Sequence, residues 1–279
     1  MTDQTKAIVP ETLEGWTILH EIFRVDWAGW KKVPLDQKQR SLSDGKAFLE
    51  KISKPIEGQS AFFSLLGHKG DLLFLHFRKT FDELNEVELG FRQLALADYL
   101  FETTSYVSFV ELGLYEMTAK LFDDLMSKGL KPSSEEWEAC WKNEMKEQRE
   151  RMKGRLYPSI PPDRYLCFYP MNKRRGETVN WYVRSMEERQ RMMRDHGMIG
   201  RKYTGQVTQI ISGSIASDDW EWGVDLFAKD PLVFKKLIYE MRFDEASALY
   251  AQFGPFYTGL RLEPSQLTGF FSGKSPPTL

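Results

Sequence analysis

The chain has 279 residues and a mass of 32.6 kDa, and its 42% hydrophobic and 14% aromatic content supports a large buried core rather than a disordered chain. A formal net charge of −2 and a pI near 6.2 argue against electrostatic binding of nucleic acid. No apolar run reaches the ~18 residues that a membrane span needs, and the N-terminus lacks the apolar region of a signal peptide. Two cysteines are too few for a disulfide framework. We therefore expect a cytoplasmic protein with no membrane span.

The first half of the chain predicts the order β-α-β-β-α-β. Bulky and β-branched residues favour the strands, and helical spacing of apolar residues favours the helices. In chain order the predicted elements are a strand from Trp16, a helix reaching about Ile52 with an interruption at Pro34, a hairpin turning at His68-Lys69-Gly70, a helix begun by the capping box Thr80-x-x-Glu83, and a strand over residues 106–114.

The second half predicts the same order again. Its elements are a strand over residues 165–170, a short helix from the capping box Ser185-x-x-Glu188 to Gly197, a strand pair over residues 206–214 and 220–227, a helix begun at Asp230-Pro231, and a strand over residues 255–262. Two βαββαβ units predict an α+β fold built of tandem ferredoxin-like repeats.

The repeats divide the chain into three predicted segments. An N-terminal ferredoxin-like unit covers residues 1–115, a helical connecting segment covers 116–160, and a C-terminal ferredoxin-like unit covers 161–279. Ser133-x-x-Glu136 predicts a third capping box within the connecting segment. This pattern indicates a fold but no function.

The four histidines can be weighed one by one. His20 and His76 fall within predicted strands, where a hydrogen-bonded histidine of the sheet is the favoured interpretation, and His68 in the hairpin turn is expected to be solvated. His196 lies at the predicted end of a helix among methionines. That setting suits the histidine that holds haem iron, although a histidine that stabilises the end of a helix explains the pattern better when it is taken alone.

The strand before that helix carries a second signal. If it stays extended, Tyr169, Met171 and Lys173 alternate onto one face. This describes either an edge strand with a core tyrosine and an exposed lysine, or a redox-active tyrosine beside a macrocycle with the lysine paired to an anionic substituent. Gln209 is a polar residue among apolar neighbours, which predicts a buried amide bonded to backbone or to a ligand.

Three long segments resemble one known family. The runs FYPMNKRRGETVNWY, MEERQRMMRDHGMIGRKYTGQVTQIISGSI and DDWEWGVDLFAKDPLVFKKLIYEMRFDEASALYAQFGPFYTGLRL are similar to the chlorite-dismutase-like haem proteins, and most similar to the members of Gram-positive bacteria that decarboxylate coproheme. A weaker resemblance covers the first half. The resemblance implies that the two units pack as a dimeric α+β barrel, with the porphyrin in the C-terminal unit, and that the protein forms a homopentamer.

The resemblance also implies roles for particular residues. His196 matches the axial ligand of the iron, and Tyr169 and Lys173 match catalytic residues next to the reacting propionates. Met171 lines the same pocket. The remaining binding positions are Arg155 and Ser247, which match propionate ligands, and Gln209, which matches a distal glutamine where chlorite-degrading members are expected to carry arginine.

The implied reaction is peroxide-dependent. Hydrogen peroxide drives two oxidative decarboxylations of Fe-coproporphyrin III (coproheme), through a three-propionate intermediate, to haem b. The porphyrin is then both substrate and redox cofactor. A transient contact with a ferrochelatase that supplies the substrate is compatible with this role. Two alternatives stay open: a haem enzyme of other chemistry, such as a general peroxidase or a chlorite-degrading enzyme, and a haem carrier or sensor without turnover.

Overall fold

A computed structural model describes residues 9–277 of the chain. The elements of the first half are β1 (Thr12–Val25), α1 (Trp27–Lys32), α2 (Leu35–Ser53), β2 (Gln59–Leu66), β3 (Leu72–Arg78), α3 (Phe81–Arg92) and β4 (Leu100–Gly113). Two helices follow, α4 (Tyr115–Ser127) and α5 (Glu135–Leu156). The remaining elements are β5 (Tyr165–Lys173), α6 (Met186–Arg201), β6 (Thr208–Gly213), β7 (Trp222–Ala228), α7 (Leu232–Met241), α8 (Glu245–Tyr250), β8 (Ala251–Phe253), β9 (Tyr257–Arg261) and α9 (Leu267–Phe271).

The two halves share one strand arrangement. In the first half the strands lie in the order β4-β1-β3-β2, and in the second half β6, β7, β5 and β9 lie side by side in the equivalent antiparallel order. This confirms the predicted α+β fold of two ferredoxin-like repeats. The division of the chain at residues 115 and 160 stays a prediction.

The strands of both halves form one closed ring. β2 pairs with β9, and β4 pairs with β6, which joins the halves at two seams. β5 hydrogen-bonds to β9 along one edge and to β7 along the other, so the eight longer strands close on themselves, and β8 continues the β9 edge of β5. The predicted barrel is therefore confirmed.

The centre of the ring is filled by side chains from both halves. Every residue of β3 is buried, as expected for a strand covered on both faces. The cluster inside the ring combines residues of the first half, such as Phe63 and Phe77, with residues of the second half, such as Phe168 and Phe227. Separate clusters lie between the ring and the helices on its outer side.

Two of the three predicted capping boxes form as expected. Thr80 and Ser185 each accept a hydrogen bond from the backbone N–H three residues on, which confirms both capping boxes. The prediction for Ser133 is wrong: Ser133 has a left-handed φ of 64°, and its neighbour Ser134 caps α5 by accepting from the backbone N–H of Trp137. This choice of serine places Trp137 in a buried position.

The predicted end of α6 at Gly197 is also wrong. The helix continues to Arg201, so His196 lies more than one turn inside it. Ile199 packs against the apolar cluster between β5 and α7, and this packing outweighs the roughly 1 kcal/mol by which glycine disfavours a helix interior. His196 is thus not a residue of the helix end.

Candidate functional site

The outer face of β5 carries the predicted row of Tyr169, Met171 and Lys173. The strand stays extended through Lys173, so these side chains share one face, opposite the side of Phe168 that lines the ring interior. Tyr169 and Met171 belong to the apolar cluster under α7. The conditional prediction that the strand remains extended is confirmed.

Gln209 lies on this same outer face. The register pairs Gln209 with Leu226 of β7 and Leu226 with Cys167 of β5, and directly opposed residues of antiparallel strands share a face. Gln209 is nevertheless exposed, and its neighbour Ile211 is 41% exposed. The expectation that Gln209 is a buried amide is wrong, because helices cover the outer face over β5 and leave it open over β6.

Tyr169 is almost fully enclosed, with 3% of its surface exposed. Its ring stacks on Phe256 at 4.6 Å and lies 5.6 Å from Phe253. Burial raises the pKa of its phenol well above the ordinary value, with Cys167 adding to the rise and the nearby positive charge of Arg242 opposing it. The phenol is therefore protonated at neutral pH, and any oxidation of it must release a proton together with the electron.

His196 projects from α6 toward the start of α8. Its Nδ1 lies 2.9 Å from Oδ2 of Asp244, and a quarter of the side chain remains exposed. The carboxylate can only accept here, so Nδ1 donates the hydrogen bond and Nε2 is the ring nitrogen left for another partner. A carboxylate on one imidazole nitrogen is the usual companion of a histidine whose other nitrogen holds a metal.

Asp244 is the residue that sequence reasoning missed. It is the N-cap of α8, with Oδ1 accepting from the backbone N–H of Ser247 at 2.8 Å and Oδ2 accepting from the Ser247 hydroxyl at 3.0 Å. Burial alone would raise the pKa of Asp244, but the hydrogen bonds from His196 and Ser247 outweigh it and the pKa is lowered. Asp244 is thus a fixed anion beside the imidazole.

Ser247 is buried and lies within the same hydrogen-bonded group. Besides Asp244, its hydroxyl lies 3.3 Å from Nδ1 of His196. Its role as a propionate ligand stays a prediction.

Lys173 approaches this group from β5. Its Nζ donates to the carbonyl of Ala246 at 3.4 Å and lies 4.5 Å from the centre of the Trp181 ring. Burial lowers the pKa of this ammonium to about 8, although the carboxylates of Asp244 and Glu221 oppose the shift. The structure therefore brings His196, Lys173 and Ser247 together around Asp244.

Arg155 stands apart from that group. It lies exposed on the last turn of α5, a helix that packs against β1 and β4, and its guanidinium donates to Met152 Sδ at 3.9 Å. Its predicted role as a propionate ligand is untested by this geometry. Arg242, which sequence reasoning did not single out, lies closer to Tyr169, with Cζ 4.5 Å from the centre of the neighbouring Phe253 ring.

The other histidines take the ordinary roles expected of them. His20 is fully buried inside the ring, with Nε2 3.0 Å from Asp225, and His76 contacts Glu21 at 3.1 Å and Ser60 at 2.7 Å. His68 is exposed. His196 is thus the histidine that combines a carboxylate partner with an exposed edge.

The residues present fit an iron porphyrin better than a bare ion. Across residues 9–277 there is no group of three or more His, Cys, Asp or Glu side chains arranged to hold a metal. A single imidazole with a free Nε2 suits a metal whose remaining ligands come from a macrocycle. Ile211 on β6 and Met198 on α6 are both over 40% exposed and offer apolar side chains to the flat body of such a ligand. The ammonium of Lys173 suits its anionic edge. No helix within the described ranges is long and apolar enough to cross a membrane.

Known proteins share both this sequence and this fold. The family model described as chlorite dismutase matches residues 38–262. A coproheme decarboxylase of Staphylococcus carnosus is 44% identical over 264 residues, which cover 94% of this chain and 97% of the relative. The structure described as a novel heme-binding protein from Thermus thermophilus superposes with a TM-score of 0.80 at 40% identity, covering 95% of this chain and 98% of the other. A mutant chlorite dismutase from Candidatus Nitrospira defluvii superposes with a TM-score of 0.70 at 17% identity, over 93% of this chain and 97% of that one, which shows a shared fold.

Proposed function

We propose that this chain, which belongs to the chlorite dismutase family, is an enzyme that converts Fe-coproporphyrin III to haem b by two peroxide-dependent decarboxylations. The similarity to a coproheme decarboxylase over nearly the full length of both proteins supports this reaction. The observation that carries the proposal is the pairing of two features: an imidazole fixed by Asp244 with a free Nε2, and a row of Tyr169 and Lys173 on the adjoining strand face.

The reaction balances for each propionate. One carboxyethyl group and one hydrogen peroxide give a vinyl group, carbon dioxide and two waters, so the peroxide takes two electrons and two protons from each substituent. Two rounds use two peroxides and pass through a three-propionate intermediate. When bound, the porphyrin iron supplies the chemistry that reduces peroxide.

His196 and Asp244 are assigned the role of holding the substrate. His196 would hold the iron through Nε2, with Asp244 accepting from Nδ1 and fixing the orientation of the imidazole. Because Asp244 is itself held by Ser247 as the cap of α8, the orientation of the imidazole is set by backbone rather than by a mobile side chain.

Tyr169 is assigned the oxidation of the propionate. Its phenol gives up one electron to the oxidising equivalent derived from peroxide and releases its proton, and the resulting oxygen radical takes a hydrogen atom from the propionate β-carbon, which restores the phenol. The substituent then gives up a second electron to the same oxidant and loses carbon dioxide, which leaves the vinyl group. Enclosure between Phe253 and Phe256 keeps water from the radical. Since burial holds the phenol protonated, this step does not depend on a tyrosinate.

The remaining predicted residues are assigned to binding. Lys173 would pair its ammonium with a reacting propionate, Met171 lies on the same strand face, and Gln209 would contact the porphyrin from the open part of the sheet. Arg155 and Ser247 are assigned further propionates. Arg242 is added to this set because its charge lies close to Tyr169.

The proposal extends to assembly and supply. From the family resemblance we expect a homopentamer, and a transient contact with a ferrochelatase would deliver the substrate. Sedimentation of the purified protein tests the first expectation.

The decisive experiment is titration of the coproheme complex with hydrogen peroxide, followed by mass spectrometry of the porphyrin. We expect two successive losses of a carboxyl group as carbon dioxide, through the three-propionate species. Bleaching of the porphyrin without these losses would refute the function.

Tyr169→Phe tests the assigned chemistry. This variant should bind coproheme with near-native affinity and form no haem b. Tyr165→Phe is the matched control, since Tyr165 lies on the same face of the same strand and packs in the same apolar cluster. Near-native turnover by Tyr169→Phe would move the radical to another residue.

A further inference from the structure

A positively charged cleft adjoins the site at its Lys173 end. It has a volume of about 890 Å³ and is lined by Asn172, Lys173, Arg174, Arg175, Gly176, Thr178, Val179 and Gln252. Three consecutive basic residues line it, and the remaining lining residues are neutral. Lys173 lines it but Tyr169 and His196 do not, so the cleft meets the site assigned to the chemistry only at Lys173.

The backbone that carries the basic residues is well fixed. Arg174 donates its backbone N–H to the carbonyl of Tyr250 at 2.7 Å and accepts from the N–H of Trp181 at 2.9 Å. Beyond it, Gly176 donates to the carbonyl of Val179 at 3.0 Å, which closes a tight turn. The cations are therefore presented by a hydrogen-bonded hairpin.

The charges of this hairpin are only partly balanced. Arg175 lies 3.4 Å from Glu221, but 65% of its side chain is exposed and Glu221 also accepts from the backbone N–H of Lys173 at 2.7 Å. Arg174 is exposed, and within residues 9–277 its guanidinium makes no hydrogen bond or ion pair. The residues that line the cleft carry three cations and no carboxylate. Glu221 and Asp244 beside the lining oppose part of this charge, and Arg174 stays open to an anionic ligand.

Lys173 connects the cleft to the site. It lines the cleft beside the arginines, and its Nζ reaches Ala246 at the start of α8, next to the His196 and Asp244 pair. The Lys173 ammonium is thus the cation that lies between Arg174 or Arg175 and the site, and an anion bound by either arginine can move to it.

We propose that Arg174 and Arg175 form a docking site for the carboxylates of an incoming tetracarboxylate porphyrin, which Lys173 then draws into the site. The inference rests on the proposed function for the identity of the substrate. The reaction converts four carboxylates to two, so a cationic docking site binds the substrate more strongly than the product and favours product release. Exposed, poorly paired cations act mainly on the rate of association.

The test measures association of iron-free coproporphyrin III by stopped-flow quenching of tryptophan fluorescence, because this probe has four carboxylates and needs neither His196 nor turnover. Arg174→Gln together with Arg175→Gln should slow association about tenfold at about 10 mM ionic strength, where the Debye length is about 30 Å, and hardly at all at about 1 M. Arg174→Gln alone, which removes no described contact of the fold, should slow it about threefold at low salt.

Two comparisons make the result specific. Lys31→Gln with Lys32→Gln removes the same charge from an exposed pair on α1 and should leave the rate within about twofold of the wild type. Protoporphyrin IX, with two carboxylates, should respond less than coproporphyrin III to loss of the arginines. An equal response to both porphyrins, an equal effect of the lysine control, or an unchanged rate in the double variant overturns the docking site.

The outcome is separable from that of the proposed function. If the wild type forms no haem b from coproheme but the arginine variants still slow coproporphyrin III association selectively, the decarboxylation fails and the docking site stands. If haem b forms normally and the rates of association are unchanged, the docking site fails alone.

Discussion

Replacing Lys173 with methionine should raise the free energy of unfolding of the ligand-free protein and lower its affinity for coproheme. The structure buries this ammonium and lowers its pKa from 10.5 to about 8, which corresponds to a cost of about 3 kcal/mol for keeping the charge in the folded state at neutral pH. Methionine removes that charge at similar length. Loss of the contacts with Trp181 and Ala246 offsets part of the gain, so we expect a net stabilisation of about 1–2 kcal/mol.

The sign of the effect with pH follows from the same shift. The pKa of Lys173 is lower in the folded state than in the unfolded chain, so the cost is present in full below about pH 8 and fades as pH rises toward 10.5, where both states lose the proton. The stability difference between Lys173→Met and the wild type should therefore shrink between pH 8 and 10.5. Urea unfolding followed by tryptophan fluorescence at several pH values measures it.

Lys229→Met is the control for this experiment. Lys229 is exposed at the opposite end of β7 from the site, and its replacement should change stability by less than about 0.5 kcal/mol. A Lys173→Met variant that is less stable than the wild type at pH 7, or a gain that does not change with pH, would refute the reasoning.

Three further outcomes follow from the site and its support. Affinity for iron-free coproporphyrin III, measured by fluorescence titration, should be constant below about pH 8. Above that pH it should fall by up to about tenfold per pH unit, because Lys173 loses its proton. An affinity that does not change with pH would contradict the assigned pairing of Lys173 with a propionate. Asp244→Asn removes the anion that holds the proton on His196 Nδ1, so the coproheme complex should show a lower iron–histidine stretching frequency by resonance Raman, and an unchanged frequency would rule out this orienting role. Gly15→Ala would place a Cβ 1.7 Å from the carbonyl oxygen of Leu156, so it should destabilise the fold by more than about 3 kcal/mol. Its control is Gly154→Ala in α5, where a Cβ meets nothing within 4 Å and should stabilise the fold by up to about 1 kcal/mol. Thermal unfolding of both variants measures the difference.

The strands and long helices could be predicted because their signals are local and repeated. Capping boxes at Thr80 and Ser185 set the helix starts, and alternation along β5 placed Tyr169, Met171 and Lys173 on one face. These signals depend on hydrogen bonds within a few residues, so they are already present in the sequence.

The support of His196 could not be predicted in the same way. α8 has six residues and runs directly into the three-residue β8, and neither is long enough to show a period. No helix is therefore predicted over α8, and neither the capping of α8 by Asp244 nor its bond to the imidazole is expected from the sequence. That contact joins residues 48 positions apart in the chain, and only the packing of α8 against α6 brings them together.

The environment of Gln209 was missed for a related reason. Alternation predicts which face of a strand a side chain occupies, but it does not say what covers that face. Gln209 shares its face with buried residues of β5 and β7, yet the helices leave β6 open. A face left open in the free protein is consistent with the ligand-facing role proposed for this residue.

Closure of the ring has a mechanical consequence for the site. β5 makes backbone hydrogen bonds along both edges, so this strand, which carries Tyr169 and Lys173, cannot move within the sheet unless the hydrogen bonds of one edge break. The segment from Arg174 to Trp181 and the helices α6 and α8 have no such double restraint. We expect the amides of β5 to exchange with deuterium only when the whole protein unfolds. The amides of residues 177–179, which lie between the hydrogen-bonded amides of Gly176 and Trp181, should exchange much faster, so that adjustment to a flat ligand takes place outside β5.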